Sequence, residues 1–244
     1  MVNIYLDKKD FNTALEYVEY IIDSEEYSLE TNKSYVNSWN ANNSDEIIFQ
    51  ISMTSTDYLA TNSIGHMLSP EAYGAVVPTE DLTNLLSNND VRASFLEKEE
   101  ENYFIKYSGR NGTLGLDNIP VIRLSELYLI KAECYAQKSI KVPGYYTYTA
   151  QQTLLTIQER SDTTVHTNTL TGEELLSDIR NEYRKEFAFE GKRFFQLKRS
   201  LQPISRTDCN ASICELNNPS DNFVFPIPLR EIQVNDSLTQ NAGY

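Results

Sequence analysis

The sequence predicts a mainly α-helical fold with long irregular loops and a few short β-strands. Apolar residues recur with helical spacing in several segments, most clearly over residues 8–23 and 172–200. Runs of β-branched and aromatic residues are short, as in EIIFQI at 46–51 and NYFIKY at 102–107. The stretches between them are rich in Ser, Thr, Asn, Gly and Pro, which are typical of turns and loops. These observations together favour helices as the main elements.

Composition limits the classes of function. The chain has 244 residues, enough for one large or two small domains, and a formal net charge of −14. That charge disfavours nonspecific binding to nucleic acid, since most of the surface would repel a phosphate backbone. No run approaches the ~20 apolar residues of a membrane-spanning helix, and the start MVNIYLDKKD is not a signal peptide. We therefore expect the chain to start within a larger protein.

The first half of the chain combines one clear helix with a long loop. Residues 8–23 place six apolar side chains on one helical face: Phe11, Ala14, Leu15, Val18, Ile21 and Ile22. Small Ala14 suits close helix pairing of the tetratricopeptide kind. The strand at 46–51 precedes a loop at 53–78 that carries Tyr58, His66 and Tyr73. Loops of that length are often functional.

Helices are predicted to follow this loop. Helices at 79–87 and 90–98 have Thr79 and Asp90 as predicted N-caps, and a strand follows at 102–107. This part of the chain is therefore expected to pass from helix to strand before the turn-rich sequence GRNGTLG.

The second half is expected to hold the longest helices. Pro120 is placed in the first turn of a strong helix, which ends in the loop KVPGYYTYT at 141–149. A helix at 150–160 and a polar linker at 162–171 follow. One continuous helix then runs over 172–200, with Thr171 and Glu174 as a capping box.

The stretch IRNEYRKEFAFEGKRFFQLKR, residues 179–199, contains seven of the chain's 21 Lys and Arg residues. It could be an anion site or a core helix with internal ion pairs. Glu182, Glu186 and Glu190 have a spacing that forms a column beside the apolar stripe, and Glu182 can reach Lys185. We favour the ion-paired helix. Gly191 lies inside the predicted helix, where glycine is costly, and suggests the close passage of another backbone.

Signals of catalysis and of bound metals are weak. His66 and His166 lie in polar loops without a metal-binding pattern, and phosphate and dinucleotide motifs are absent. A single column of carboxylates cannot flank a glycosidic bond from both sides. We therefore predict no catalytic residues, no metal and no cofactor.

The three cysteines have two different predicted roles. Cys134 is expected to be buried in a helix. Cys209 and Cys214 either close a small disulfide or remain reduced, depending on the compartment.

Three blocks resemble the C-terminal part of the SusD/RagB family: DNIPVIRLSELYLIKAECYAQ (117–137), LLSDIRNEYRKEFAFEGKRFFQLKR (175–199) and FVFPIPLREIQVNDSLTQNAGY (223–244). They occur in the family's order. The chain departs from the family pattern at framework positions, with Tyr183 where Arg is common, Gln196 where Asp is common and Ala242 where Pro is common. The resemblance implies a SusD-like helical fold with tetratricopeptide-type helix packing.

The resemblance also implies an organisation and a function. It implies a helix and loop at 1–45, strands and ligand loops at 46–118, and a C-terminal signature region at 119–244. Family members are about twice as long, so the N-terminal half, with its lipid-anchoring Cys, is expected to be missing. The family's proteins are non-catalytic surface lipoproteins of the outer membrane. They capture oligosaccharides for a SusC-like TonB-dependent barrel transporter. Alternatives are a peptide-binding RagB-like member and a module that only docks onto the transporter.

The resemblance separates framework residues from ligand residues. We expect the following residues to have structural roles: Arg123, Glu126, Glu182, Arg184, Glu186, Glu190, Gly191 and Arg193. The family's ligand sites are built from loop aromatic residues, which stack on sugar rings. On that basis the candidate ligand contacts are Tyr58, His66, Tyr73, Tyr145 and Tyr146. They have no fixed motif in the family.

Overall fold

The fold is mainly helical, as predicted, in a computed structural model that describes residues 1–41, 43–98 and 102–244. The chain divides into two compact units, Met1–Glu190 and Gly191–Tyr244. Each unit is described by itself below.

The first unit begins with two helices rather than one. α1 (Val2–Asp7) precedes α2 (Phe11–Ile22), so the helix predicted over 8–23 starts three residues later than expected. The reason is Asp10, whose carboxylate accepts a hydrogen bond from the Thr13 amide at 3.2 Å and caps α2. Ala14, Leu15 and Val18 are buried on the predicted face.

A third helix, α3 (Asn32–Ala41), lies in a stretch that was expected to be a loop. Its sequence NKSYVNSWNA is polar, and only Tyr35 is buried, so the helical periodicity of apolar residues is weak. Tyr35 packs at 6.0 Å, ring to ring, against Phe95. Tertiary packing of Tyr35 therefore stabilises a helix whose sequence shows only weak apolar periodicity.

The strand predicted at 46–51 is present as β1 (Ile47–Ile51), and it pairs antiparallel with β4 (Ile119–Arg123). The prediction that Pro120 opens a helix is wrong, because Pro120 lies in β4 opposite Gln50. This sheet has two strands, so both are edge strands, where a proline without an N–H is tolerated.

The segment between β1 and β4 is mostly irregular, and its helices are shorter than predicted. It contains the short helices α4 (Ile64–Leu68) and α5 (Glu80–Thr83). The helix expected at 90–98 is a 3₁₀ turn, Val91–Phe95, followed by strand β2 (Leu96–Lys98). Asp90 caps that turn as predicted, accepting from the Arg92 amide at 3.0 Å. β2 forms a hairpin with β3 (Asn102–Phe104), the start of the strand predicted at 102–107.

Two long helices follow β4. α6 (Leu124–Ser139) and α7 (Tyr145–Ser161) pack against each other, and α6 also packs against α2. α7 starts five residues earlier than the helix predicted at 150–160. Gly144, with a φ of +86°, ends the connecting turn directly before Tyr145.

The predicted helix over 172–200 is two helices. α8 (Gly172–Glu186) ends the first unit's helical core, and α9 (Arg193–Arg199) belongs to the second unit. Thr171 is the N-cap residue of α8, but its side chain makes no capping hydrogen bond, so the capping box is wrong. The main core joins side chains of α1, α2, α6, α7 and α8, among them Leu129, Leu154, Leu176, Ile179 and Phe187.

The second unit is short and poor in regular structure. It contains α9, the two-residue strands β5 (Ile204–Ser205) and β6 (Glu215–Leu216), and α10 (Leu229–Val234). The interpretation of Gly191 as a site of close backbone passage is wrong. Among the residues described, no atom lies within 4 Å of where its Cβ would be. Its φ of +72° is what requires glycine.

The cysteines follow one of the expected alternatives. Cys209 and Cys214 form a disulfide within the second unit, and Cys134 is buried in α6. None of the described helices is both long enough and apolar enough to cross a membrane.

The helical core predicts a contrast between two positions of α7. Leu154→Ala removes a fully buried side chain and should lower the free energy of unfolding by about 2–5 kcal/mol. Tyr148→Ala removes an exposed side chain of the same helix and should change it by less than about 0.5 kcal/mol. Urea unfolding followed by circular dichroism measures both values. Equal effects would contradict this packing.

Candidate functional site

A buried network of ion pairs is centred on Glu186, the last residue of α8. Its carboxylate contacts three guanidinium groups, from Arg92 at 3.0 Å, Arg123 at 2.8 Å and Arg160 at 2.6 Å. The Tyr35 hydroxyl donates to the same carboxylate at 3.2 Å. These partners come from the 3₁₀ turn, the end of β4, α7 and α3, so one carboxylate joins four segments of the first unit.

The other two carboxylates of the predicted column extend this network. Glu182 lies 2.7 Å from Arg92 and, as its spacing indicated, 2.7 Å from Lys185. Glu190 contacts Lys106 at 2.6 Å and Arg123 at 2.8 Å. The three glutamate side chains are at most 1% exposed. They therefore cannot contact a ligand on the surface.

The remaining expected framework residues lie around this network or apart from it. Arg123 also contacts Glu46 at 2.7 Å, and Glu126 accepts from the Tyr183 hydroxyl at 3.0 Å. Arg184 pairs with Asp81 at 2.8 Å nearer the surface. In the second unit, Arg193 donates to Gln196.

Burial and charge act in opposite directions on the ionisable groups of this network. Burial alone would raise the pKa of Glu186, but Arg160, Arg123 and Arg92 outweigh it and hold this pKa well below 4.5, its ordinary value. Burial lowers the pKa of Lys106 to about 8 despite the attraction of Glu190. Lys106 therefore still carries its charge at neutral pH.

The long loop at 53–78 is held by the loop that precedes β4. The Met53 amide donates to the Asn118 side chain at 2.9 Å, and Arg110 donates to the Met53 carbonyl at 2.6 Å. Asp117 accepts from the Gly109 amide at 2.9 Å. Side-chain-to-backbone bonds thus fix the start of a loop that lacks regular structure over most of its length.

His66 has a fixed orientation at α4. Ser63 caps this helix, and its hydroxyl accepts from the His66 amide at 3.3 Å while lying 3.0 Å from the His66 Nδ1. A Cβ at Gly115 would lie 2.3 Å from the Ser63 hydroxyl and 2.9 Å from His66 Nδ1. Glycine at 115, with a φ of +84°, therefore lets the neighbouring loop close against this pair.

Tyr73 joins His66 in a surface aromatic cluster. The Tyr73 amide donates to the His66 carbonyl at 3.0 Å, and the two ring centroids are 6.3 Å apart. Tyr73 is 57% exposed, and His66 is half-buried. Tyr103 of β3 borders the turn that carries Tyr73, since a Cβ on Gly74 would be 2.9 Å from its Cε1. The ring contact is between His66 and Tyr73, and we call these two residues together with the neighbouring Tyr103 the aromatic cluster.

The sequence did not identify Tyr103 as a candidate. Its strand was predicted, but nothing in NYFIKY indicates that the 69–74 turn passes over one face of it. Tyr58, by contrast, is half-buried in the irregular segment before α4. Within the described part of the chain it makes no ring contact with His66 or Tyr73.

Tyr145 and Tyr146 lie elsewhere and have a different setting from the one predicted. They were expected in a loop, but they form the first turn of α7. Tyr146 stacks on Tyr135 of α6 at 6.0 Å, with the Lys138 ammonium 4.6 Å from its ring centre. Tyr145 is 70% exposed. None of the ring contacts found in residues 1–41, 43–98 and 102–244 joins this pair to the aromatic cluster.

The cavity beside Trp39 is too small to be a sugar site. It has a volume of about 20 Å³ and is lined by Trp39, Glu46 and Arg123 among others. That is room for about one water molecule. In the part of the chain that the structure describes, no group of three or more His, Cys, Asp or Glu residues is placed to hold a metal ion.

Comparisons with known proteins agree on one family. The model of the SusD family matches residues 23–244. The chain is similar to the crystal structure of a putative sugar binding protein from Bacteroides vulgatus, with a TM-score of 0.86 and 30% identity. A SusD superfamily protein from the same organism gives a TM-score of 0.86 at 26% identity. Both comparisons cover 100% of this chain and 57% of the other chain.

A more distant likeness supports the fold alone. The surface glycan-binding protein A from Bacteroides thetaiotaomicron has a TM-score of 0.76 at 21% identity, covering 99% of this chain and 62% of that one. No curated protein matches the chain. The chain spans little more than half the length of the two Bacteroides vulgatus proteins.

The buried network predicts a large effect of one substitution. Glu186→Gln removes the charge that faces Arg92, Arg123 and Arg160, and leaves these buried cations underpaired. We expect the free energy of unfolding to fall by about 3–5 kcal/mol. The matched control, Glu173→Gln on the exposed start of α8, breaks only a surface pair with Arg180 and should cost at most about 1 kcal/mol.

The lowered pKa of Glu186 also predicts how the stability of the protein depends on pH. Because the pKa of Glu186 is lowered in the folded state, its contribution is complete above pH 4.5 and is lost as the pH falls below that value. The stability difference between wild type and Glu186→Gln should therefore shrink below pH 4.5. Urea titrations at several pH values measure this, and a difference that grows with acidity would contradict it.

Proposed function

The chain belongs to the SusD family, and we propose that it captures oligosaccharides at the bacterial cell surface without catalysing a reaction. The observation that carries this proposal is the aromatic cluster, in which the exposed Tyr73 ring lies beside the half-buried His66, on a chain that belongs to this family. One similar solved structure is described as a putative sugar binding protein, which agrees with the proposal.

The chemistry of the cluster suits a sugar ring. Pyranose rings present C–H faces that pack on aromatic rings, and their hydroxyl groups need polar partners. Tyr73 offers an exposed ring and a phenolic hydroxyl. The Ser63 hydroxyl lies 3.0 Å from His66 Nδ1, so the second ring nitrogen, Nε2, is left to donate to or accept from a sugar hydroxyl.

The cluster is held in place before any ligand binds. The Ser63 hydroxyl, 3.0 Å from Nδ1, orients the His66 ring, and the Tyr73–His66 backbone bond holds the turn that carries Tyr73. A site fixed in advance loses less conformational entropy on binding. This backbone arrangement therefore lowers the cost of binding a sugar on a shallow surface.

The proposed role is non-catalytic. Glycoside hydrolysis needs two carboxyl groups on opposite sides of the scissile bond. The glutamate column of the 179–199 stretch is buried, and every member contacts cations, so it is not available for that chemistry. The cluster itself consists of one imidazole and two phenols, which bind and orient a sugar.

We further propose the partner and location typical of the family. The full protein would be lipid-anchored at the outer membrane and would hand its ligand to a SusC-like TonB-dependent barrel transporter. Family membership supports this proposal. The chain spans 57% of the length of the solved structures to which it is similar.

Titration calorimetry against soluble oligosaccharides and peptides tests the function. We expect one class of oligosaccharide to bind saturably, and Tyr73→Ala to weaken that binding about tenfold through the loss of ring stacking. Tyr20→Ala is the matched control, because Tyr20 is 78% exposed on α2, away from the cluster. The affinity of the Tyr20→Ala variant for the oligosaccharide should equal that of wild type.

The other results of this titration would contradict the proposal. Binding of peptides alone would indicate a peptide-capturing protein. Saturable sugar binding that Tyr145→Ala weakens and Tyr73→Ala leaves intact would place the site at the start of α7. Turnover of the sugar during the titration would show an enzyme.

A further inference from the structure

A polar cleft lies beside the β2–β3 hairpin, apart from the aromatic cluster. It has a volume of about 480 Å³, which falls within the range of small-molecule sites. Its apolar lining residues are Leu86, Ala93 and Leu96, which we call the floor. Polar side chains from α5, the following turn and the hairpin make up the rest of the lining, which we call the rim. The lining is therefore more polar than that of most small-molecule pockets.

Three asparagine side chains, Asn84, Asn88 and Asn102, line the rim together with Thr83 and Glu80. None of the three amides has a hydrogen-bond partner among the protein residues that the structure describes. Thr83 donates its hydroxyl hydrogen to the Glu80 carbonyl at 3.0 Å and keeps its acceptor positions. The rim therefore presents several uncommitted donors and acceptors around one space.

The side chains on the rim select for a class of ligand. Each amide is both a donor and an acceptor, as is each sugar hydroxyl, so the two groups match without any charge. The described lining includes the Glu80 carboxylate, which disfavours phosphates and acidic sugars. A net charge of −14 disfavours anions further. Neutral saccharides fit this chemistry best.

The hairpin separates the cleft from the aromatic cluster. Residues of a strand alternate between its two faces, so Asn102 and Tyr103 point to opposite sides. Leu96, two positions along the ladder from the Lys98–Asn102 pair, lies on the Asn102 side. One face of the hairpin thus borders the cleft, and the other carries the third ring of the aromatic cluster.

The frame of the cleft is anchored to the buried network. Leu82 and Leu86 pack in one hydrophobic cluster with Phe95, and Ala93 and Leu96 pack against it. Arg92, in the same 3₁₀ turn, contacts Glu182 and Glu186. The floor is therefore fixed to the helical core, which a preformed site requires.

We propose that this amide-lined cleft is a second saccharide subsite, one that binds the hydroxyl groups of a neutral sugar by hydrogen bonds rather than by ring stacking. The proposal rests on the proposed function, since it adds a second contact region for the same class of ligand. It gives the chain two ways to hold a glycan, an aromatic surface and a hydrogen-bonding cleft.

A double variant with a matched control tests the cleft. Asn84→Ala with Asn88→Ala removes two rim amides, whereas Asn89→Ala removes an exposed neighbour that does not line the cleft. The probes are maltose, cellobiose and the strongest oligosaccharide from the calorimetric panel. We expect the double variant to weaken binding of a probe about tenfold, and Asn89→Ala to leave it unchanged.

Nuclear magnetic resonance gives an independent readout on the 244-residue chain. A probe that occupies the cleft should shift the side-chain amide signals of Asn84, Asn88 and Asn102, and Tyr73→Ala should not abolish those shifts. Sugar binding that depends on Tyr73 and moves none of the three amide signals would overturn the cleft and leave the proposed function standing. Absence of binding by any sugar of the panel would overturn both.

Discussion

The ion pairs of Glu186 are the constraint on which the rest of the first unit depends. A buried carboxylate is costly unless it is paired, and this one satisfies three arginines and a tyrosine at once. Because these partners belong to four different segments, each segment must reach the end of α8 for the charges to balance. The mostly irregular middle of the chain is thereby fixed to the helices, although its own sheet has only two short strands in the described residues. Both candidate binding regions lie on this fixed frame.

The charged residues of helix α8 show which ion pairs could be predicted from the sequence and which could not. The spacing of Glu182, Glu186 and Glu190 indicated a paired column, and Lys185 was identified as a partner of Glu182. Arg92 and Arg160 were not identified. They lie 94 and 26 residues from Glu186, and helical periodicity relates only residues three or four positions apart. Long-range pairing of charges depends on the tertiary fold, so a single sequence does not contain a local signal for it.

The boundaries that were predicted wrongly share a physical cause. Both Pro120 and Gly191 were predicted to lie inside helices, each in a role that its residue type is known to have there. In the structure Pro120 occupies an edge strand and Gly191 a turn with positive φ, two settings that also suit these residues. Tyr145 and Tyr146 were assigned to a loop because Pro143 and Gly144 precede them, but Gly144 ends the turn and α7 starts directly after it.

The candidate site was predicted in part, and the part that was missed follows from packing. His66 and Tyr73 stand out in sequence as ring residues of a long loop, and the Tyr73–His66 backbone bond brings them together. Tyr103 joins them because Gly74 leaves room for its ring. The amide cleft has no sequence motif, because asparagines are common in turns. Its asparagines can be recognised as one site only in the folded structure, where the hairpin and α5 line the same space. Aromatic stacking and amide hydrogen bonding recognise different parts of a sugar, its C–H faces and its hydroxyl groups. The two proposed regions, one on each face of the hairpin, would therefore contact different parts of the same sugar.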